Sequence, residues 1–152
     1  MRRPSAAALA LAAASTLASA TAAHAAPQVQ AAWSRPAAPG TTGAGFMILA
    51  NPGPKPDTLV SVASPLAREV QVHQSMVHDG VAMMMAAPQV PIPAGGRVTF
   101  APGGYHLMFL NLARALNVGD TLPATLTFAS GAKVKAAFVV GLAPPVVPAS
   151  KR

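Results

Sequence analysis

Two histidines and two methionines in the middle of the chain have side chains suited to binding a soft metal ion. They are His73, Met84, His106 and Met108, and ten, twenty-one and one residues separate successive members. Imidazole and thioether groups together suit Cu(I), whereas Mg²⁺ and Ca²⁺ prefer carboxylates and zinc prefers Cys, His and carboxylates. His106 and Met108 are two apart on a predicted strand and therefore share a face. The set predicts a site for one Cu(I) ion.

Met84 is the middle one of three consecutive methionines, residues 83–85. The Asp-Gly pair at 79–80 is a strong turn signal, so residues 81–87 should form the return strand of a hairpin beside His73. Successive side chains of a strand point to opposite faces, so Met84 should point away from both of its neighbours. Strand alternation therefore selects Met84 as the methionine that joins the two histidines.

For the other methionines and for His78, roles simpler than metal binding are expected. Methionine in a strand usually fills the core, and this is the expectation for Met47, Met83 and Met85. Met76 and His78 lie near the predicted hairpin turn and are expected to be exposed to solvent. A further possibility is that Met76, His78 and Met83 form a secondary or transfer site for the metal.

Cysteine is absent from the chain. Without a thiolate there is no disulfide, no cysteine nucleophile and no ligand for a blue-copper electron-transfer site. The fold must therefore depend on burial of an apolar core, which about 110 to 120 ordered residues can supply. A Ser/His/Asp arrangement, a convergent carboxylate pair and a phosphate-binding loop cannot be identified either, so no enzymatic activity is predicted.

The charge of the chain is positive but dispersed. The chain has eleven Lys and Arg residues and four Asp and Glu residues, which gives a formal net charge of +7. Removal of Arg2 and Arg3 would leave nine basic and four acidic residues, a net charge of +5. The basic residues are scattered and there is one Trp and one Tyr. A nucleic-acid surface normally shows a clustered basic stripe, so nucleic acid is not predicted as a partner.

The first 25 residues have the pattern of a secretion signal. Arg2 and Arg3 precede an apolar run at 6–20, and the segment 23–25, Ala-His-Ala, has the small-x-small pattern of a signal-peptidase site. We predict Sec-dependent export and cleavage after about Ala25. The run is short and rich in alanine compared with a membrane span of about 20 apolar residues, so stable membrane insertion is not expected after cleavage. An uncleaved membrane-anchoring helix is the alternative.

Short strands separated by Gly- and Pro-rich turns fill the predicted mature domain, residues 26–141. The pattern indicates an all-β fold, an antiparallel Greek-key barrel or sandwich of about 8–9 strands without a long helix. Residues 142–152 form a Pro-rich segment that is expected to be a flexible tail.

Three local expectations follow from the same pattern. Residues 68–74 alternate and should form one strand. Residues 88–96 contain three prolines and two glycines, Pro88, Pro91, Pro93, Gly95 and Gly96, and should form a loop. In the first strand, alternation puts Val29 and Trp33 on the same face, and Trp33 is expected in the core.

The spacing of the four donors, His-x10-Met-x21-His-x-Met, resembles the signature of the periplasmic copper chaperones of the PCu(A)C family. The resemblance runs from about Ala32 to Val140. Other segments are similar to the family's opening strand, its turns and its most recognisable stretch: Ala32-Trp33-Ser34-Arg35-Pro36, Asp79-Gly80-Val81, Ile92-Pro93-Ala94-Gly95-Gly96 and Pro102-Gly103-Gly104-Tyr105-His106-Leu107-Met108.

The resemblance implies a cupredoxin-like barrel in the periplasm with an exposed site for one Cu(I) per monomer. It further implies copper delivery to the Cu(A) centre in subunit II of cytochrome c oxidase, often beside a thioredoxin-fold copper chaperone. Two alternatives are a periplasmic copper buffer or resistance protein without a dedicated acceptor, and a structural β-sandwich whose His and Met are incidental.

The sequence departs from the family pattern at the methionine run. Many relatives have a charged residue beside the hairpin ligand, whereas this chain has three consecutive methionines at 83–85. Some relatives also carry a Met/His-rich C-terminal extension. Residues 142–152 contain neither residue type, so no copper site is expected there.

Overall fold

The computed structural model describes residues 25–146, which form ten β-strands. The predicted signal segment up to residue 24 and the last six residues, 147–152, lie outside the described part. The strands are β1 Gln28–Ser34, β2 Gly43–Ala50, β3 Asp57–Ala63, β4 Ala67–His78, β5 Val81–Ala86, β6 Val90–Ile92, β7 Arg97–Phe100, β8 Tyr105–Leu112, β9 Thr121–Phe128 and β10 Lys133–Val140. Within residues 25–146 there is no helix, and hence none with the length and apolar character of a membrane span.

All ten strands belong to one sheet in the order β5-β4-β8-β7-β2-β1-β10-β9-β3-β6, and β8 also pairs with β2. Most neighbours are antiparallel, but β1 pairs with β10 and β7 pairs with β8 in parallel. β3 and β4 approach each other although they are far apart in this order. The sheet therefore folds back on itself around a core, and the all-β prediction is confirmed, with one strand more than the sequence indicated.

Aromatic and long apolar side chains fill the core between the two halves of the sheet. The largest fully buried ones include Phe100, Phe109, Phe128, Phe138 and Met47. The rings of Phe109 and Phe138 meet edge to face with centroids 5.6 Å apart, a favoured aromatic geometry. β2 can approach Phe109 because residue 45 is glycine, and a Cβ there would lie 2.6 Å from Phe109 Cε2. Met47 fills the core as predicted.

An irregularity in β1 directs its two ends to different faces of the sheet. Val29 pairs with Leu49 and packs against the core. Trp33 pairs with Phe46, and the pairing register shifts between the two positions. Ala31, which lies in this shift, has a φ angle of 49°, a conformation that non-glycine residues rarely adopt. Trp33 is buried against Phe46, with ring centroids 4.8 Å apart, and lies outside the main core cluster. The expectation that Val29 and Trp33 share a face is wrong because a bulge reverses the alternation.

Two segments contain more β-strand than the sequence predicted. β4 continues to His78 instead of ending near Gln74, because its last residues pair with β5. The predicted loop at 88–96 contains β6, Val90–Ile92, which pairs with β3. Pro91 is tolerated there because β6 is the last strand of the sheet order, where one edge needs no partner. The residues on either side of this proline are buried, so β6 adds to the core.

Candidate metal centre

Three neighbouring strands bring the four predicted donors onto one face of the sheet. β4 carries His73, β8 carries His106 and Met108, and β5 carries Met84. His73 lies directly opposite His106 in the β4–β8 pairing. Met84 lies opposite Ser75, which is two residues from His73 along β4. Paired residues share a face, as do alternate residues of one strand. All four side chains therefore start from the same surface.

The imidazole rings of His73 and His106 are neighbours across the β4–β8 pairing in an edge-to-face arrangement. Their centroids are 6.0 Å apart and their planes are inclined by 66°. First-row metal ions such as zinc bind an imidazole nitrogen at about 2 Å, which places the ion roughly 3 Å from the ring centre. The separation of the two rings is therefore close to that required by one ion between them.

The two ring nitrogens of His73 have different surroundings. Nε2 lies 3.0 Å from the amide oxygen of Gln71. The amide nitrogen of Gln71 in turn donates to Glu69 Oε1 at 2.8 Å. Because this nitrogen faces a carboxylate, the amide oxygen faces His73, and the network assigns the proton of the neutral ring to Nε2.

The other nitrogen of His73, Nδ1, therefore carries a free lone pair. It is buried and has no hydrogen-bond partner within residues 25–146. A buried polar atom without a partner costs about 1–3 kcal/mol. A metal ion bound to this nitrogen would remove that cost, so the atom fits a metal site.

A tight turn holds His106 in place. The segment 101–104 is closed by a 3.0 Å backbone hydrogen bond between its ends, and Gly103 has the positive φ angle, 85°, of a type II turn. The carbonyl oxygen of Gly104 accepts a hydrogen bond from the backbone N–H of Ser75 at 3.0 Å and lies 3.1 Å from His106 Nδ1. A carbonyl only accepts, so Nδ1 of the neutral ring is protonated and Nε2 is free to bind a metal.

β2 carries an aromatic side chain on the same face of the sheet as the donors. Ala44 lies opposite Met108 in the β2–β8 pairing. Phe46 is two residues further along β2 and shares that face. Its ring packs on Trp33, and the Arg35 guanidinium carbon lies 5.5 Å from its centroid. The Phe46 ring is therefore on the same face of the sheet as the donors.

Exposure increases across the site towards the hairpin. His106 is 6% exposed, His73 and Met108 are half-buried, and Met84 is 55% exposed. The whole of β5 is exposed, since it is the outermost strand on this side of the sheet. The candidate site thus has fixed imidazoles on its inner side and an accessible thioether on its outer side.

The two neighbours of Met84 lie on the opposite face of the hairpin. Met83 pairs with Met76, and Met85 is two residues further along the same face. Met83 and Met85 are 45% and 51% exposed, so the prediction that they fill the core is wrong. The hairpin extends beyond the core, and strand alternation alone does not show whether a face is covered. Met76 and His78 are exposed as expected.

The part of the chain that the structure describes does not contain the ligand groups that zinc, magnesium or calcium usually require. Residues 25–146 contain no group of three or more His, Cys, Asp or Glu side chains that could hold a metal ion. Zinc, magnesium and calcium sites usually require such groups. The mixed imidazole and thioether set therefore has no competitor of that kind among these residues.

Glu69 and Gln71 are the residues of the site that sequence reasoning missed. Both occupy alternate positions before His73 on β4, and Gln71 pairs directly with Met108. Period-two alternation along this strand places both on the face of His73, but their role as hydrogen-bond partners in the site was not predicted. Their polar side chains were a usable signal for hydrogen bonds to a metal-binding imidazole.

Comparison with known proteins connects this geometry to a family. The family model described as "Putative lipoprotein LpqE-like" matches residues 27–140. The chain belongs to the LpqE-like family. "Putative lipoprotein Lxx21020" of Leifsonia xyli subsp. xyli is 34% identical over 105 residues, which are 68% of this chain and 63% of that protein. The chain thus spans less than two thirds of the length of this relative.

Solved structures similar to this LpqE-like chain include PCuAC domains. The "Copper-bound PCuAC domain from PmoF2" has a TM-score of 0.63 and 27% identity and covers 75% of this chain and 91% of its own. The CuI form of DR1885 from Deinococcus radiodurans has a TM-score of 0.56 and 34% identity and covers 74% of this chain and 77% of its own. These similarities confirm the cupredoxin-like fold and the PCuAC family resemblance that the sequence indicated.

Proposed function

We propose that this LpqE-like protein is a Cu(I)-binding metallochaperone. His73, Met84, His106 and Met108 would hold one ion. The observation that carries the proposal is the buried Nδ1 of His73, which has no hydrogen-bond partner in the described part of the chain and belongs to a ring whose centroid lies 6.0 Å from that of His106. The names of the structural relatives, which include a copper-bound PCuAC domain and a CuI form, support the same cargo.

The donor set explains why the ion would be Cu(I). Two neutral imidazoles and two thioethers offer four soft or intermediate donors and no negative charge, which suits a monovalent soft ion. Thioethers do not titrate in the biological pH range and do not form disulfides. The site has no thiolate, so blue-copper electron transfer is not its purpose.

The exposure gradient suggests how the ion would leave. Met84 is the most accessible donor and lies on the outer strand, so an acceptor's ligand would replace it first. The imidazoles, which are held by Gln71 and by the Gly104 carbonyl, would release the ion last. Such a transfer exchanges one metal–ligand bond for another, and copper keeps its charge throughout.

We further propose that the protein is exported to the periplasm. The word lipoprotein in the names of the family and of the Leifsonia relative supports export. The acceptor would be the Cu(A) centre in subunit II of cytochrome c oxidase, reached directly or through a thioredoxin-fold chaperone. In a deletion strain, loss of oxidase copper is the expected result. Normal oxidase copper together with increased copper sensitivity would indicate a copper buffer instead.

An anaerobic competition titration with a Cu(I) chelator tests the site. Substitution of a residue that only supports a metal ligand lowers metal affinity by ~10–100-fold. Since His106 is a proposed ligand itself, His106→Ala should weaken the tightest Cu(I) binding by more than that. His78→Ala is the matched control, because His78 is exposed and lies on the opposite face of the hairpin. Unchanged affinity in a folded His106→Ala protein would overturn the proposal.

A further inference from the structure

The hairpin of β4 and β5 carries a second set of thioethers on the face opposite to His73. Met76 pairs directly with Met83, and Met85 follows two residues along β5. We call Met76, Met83 and Met85 the methionine triad. We propose that the methionine triad is a second Cu(I) site, which is separate from the histidine site and does not depend on it.

The spacing of the methionine triad allows its sulfur atoms to meet. Directly paired residues have Cβ atoms about 4.5–5.5 Å apart, and alternate residues of a strand are about 6.8 Å apart. A methionine side chain is unbranched with three rotatable bonds. Soft metal–sulfur bonds are roughly 2.3 Å long. Three such side chains can therefore converge on one ion above the hairpin.

Core packing does not account for the methionine triad. Its members are 38%, 45% and 51% exposed. The residues at 79 and 80 have φ angles of 50° and 78°, as in a two-residue hairpin turn, so the turn defines the pairing register. The three thioethers are therefore displayed together in water, where they can reach a soft ion.

The two faces of the hairpin separate the two donor sets. Met84 lies between two triad members in sequence, but its side chain belongs to the face of His73. One ion cannot contact both sets, because the hairpin backbone lies between them. The hairpin would thus carry one Cu(I) on each face.

His78 is on the triad face but is not assigned as a donor. It lies on the far side of the Met76–Met83 pair from Met85. Its Nε2 lies 3.3 Å from Asp79 Oδ2, where it already has a polar partner. The secondary site expected from the sequence consisted of Met76, His78 and Met83. In the site proposed here, Met85 replaces His78, so all three donors are thioethers. Without an imidazole, this site should bind Cu(I) more weakly than the histidine site.

Methyl NMR of the protein labelled with ¹³C at the methionine methyl groups distinguishes the two sites. During anaerobic titration with Cu(I), the first equivalent should shift the signals of Met84 and Met108. The second equivalent should shift all three triad signals, while Met47 in the core stays unchanged as an internal control. Binding that stops at one ion, or a second equivalent that leaves the triad signals in place, would overturn the proposal.

Three variants make the assignment specific. Met83→Leu should lose the second-equivalent response and keep the first. Val81→Leu changes the same face without removing a sulfur and should keep both responses, so loss of the triad response there would contradict the donor assignment. Met84→Leu should lose the first response and keep the triad response. Failure of the histidine site and failure of the methionine triad therefore give different spectra.

Discussion

Gln71 holds the Nε2 atom of His73 at 3.0 Å, and Glu69 holds the amide nitrogen of Gln71 at 2.8 Å. The three residues occupy alternate positions of β4, so one face of a single strand builds the whole chain of hydrogen bonds. Because Nε2 is engaged, the orientation and tautomer of the ring are set before an ion arrives. Hydrogen bonds of this kind also raise the basicity of a ligating imidazole.

Gln71→Ala should therefore weaken Cu(I) binding although Gln71 is not one of the proposed ligands. We expect a loss of about 10–100-fold, the usual cost of removing a partner of a metal-binding histidine. A chelator competition measures the affinity, and ¹⁵N NMR of the His73 ring measures the tautomer, which a purely structural role would not change. Gln74→Ala is the control, because Gln74 lies on the opposite face of β4. If Gln71→Ala changes neither affinity nor tautomer, the positioning role is wrong.

The turn at 101–104 should couple backbone conformation to copper affinity. Gly103 has a φ angle of 85° with open space around it, so Gly103→Ala should cost about 1–3 kcal/mol of backbone strain. The strain would displace the Gly104 carbonyl from His106 and weaken Cu(I) binding. Gly95→Ala is matched, since Gly95 also has a positive φ angle of 64° and open space. It should lower stability in urea similarly and leave the affinity unchanged.

Two glycines of β2 should respond differently to the same substitution. A Cβ at Gly45 would lie 2.6 Å from Phe109 Cε2, whereas the nearest atom to a Cβ at Gly43 is 3.4 Å away. Gly45→Ala should therefore destabilise the fold by about 1–3 kcal/mol, the cost of overpacking a core. Gly43→Ala should cost clearly less. Urea unfolding of both variants measures the difference, and equal losses would contradict the close approach of β2 to Phe109.

Acid should remove the stabilising effect of Asp120. Hydrogen bonds from the backbone N–H of Asn117 and from the Arg114 side chain lower the pKa of this carboxyl below its usual value. Because the pKa is lower in the folded state than in the unfolded state, the ionised carboxylate stabilises the fold at pH values above the unfolded-state pKa. This contribution disappears as the pH falls through the folded pKa. The difference in urea stability between wild type and Asp120→Asn should therefore shrink at strongly acidic pH. A difference independent of pH would contradict this account.

Strand alternation made much of the metal centre predictable. The Asp-Gly turn at 79–80 and period-two counting placed Met84 beside His73, and the pairing of Met84 with Ser75 agrees. His106 and Met108 share that face for the same reason. The role of all four residues as copper ligands stays a prediction for the titrations described above.

Other features could not be read from the sequence because they depend on tertiary packing. Alternation gave Met83 and Met85 a common face, but only the fold shows that no core covers it. The bulge at Ala31 reverses the faces of β1, and nothing in the residue type marks it. β6 was hidden by Pro91, because a proline on an outer strand looks the same in sequence as a proline in a loop.

The exposure of the hairpin methionines also makes them open to oxidation. Peroxide converts an accessible thioether to a sulfoxide, which is polar and no longer offers the soft sulfur that Cu(I) prefers. Met84 and the methionine triad are accessible, whereas Met47 is 1% exposed and shielded by the core. Oxidants would thus block copper capture while the β-sheet stays folded, and methionine sulfoxide reductases could reverse the damage.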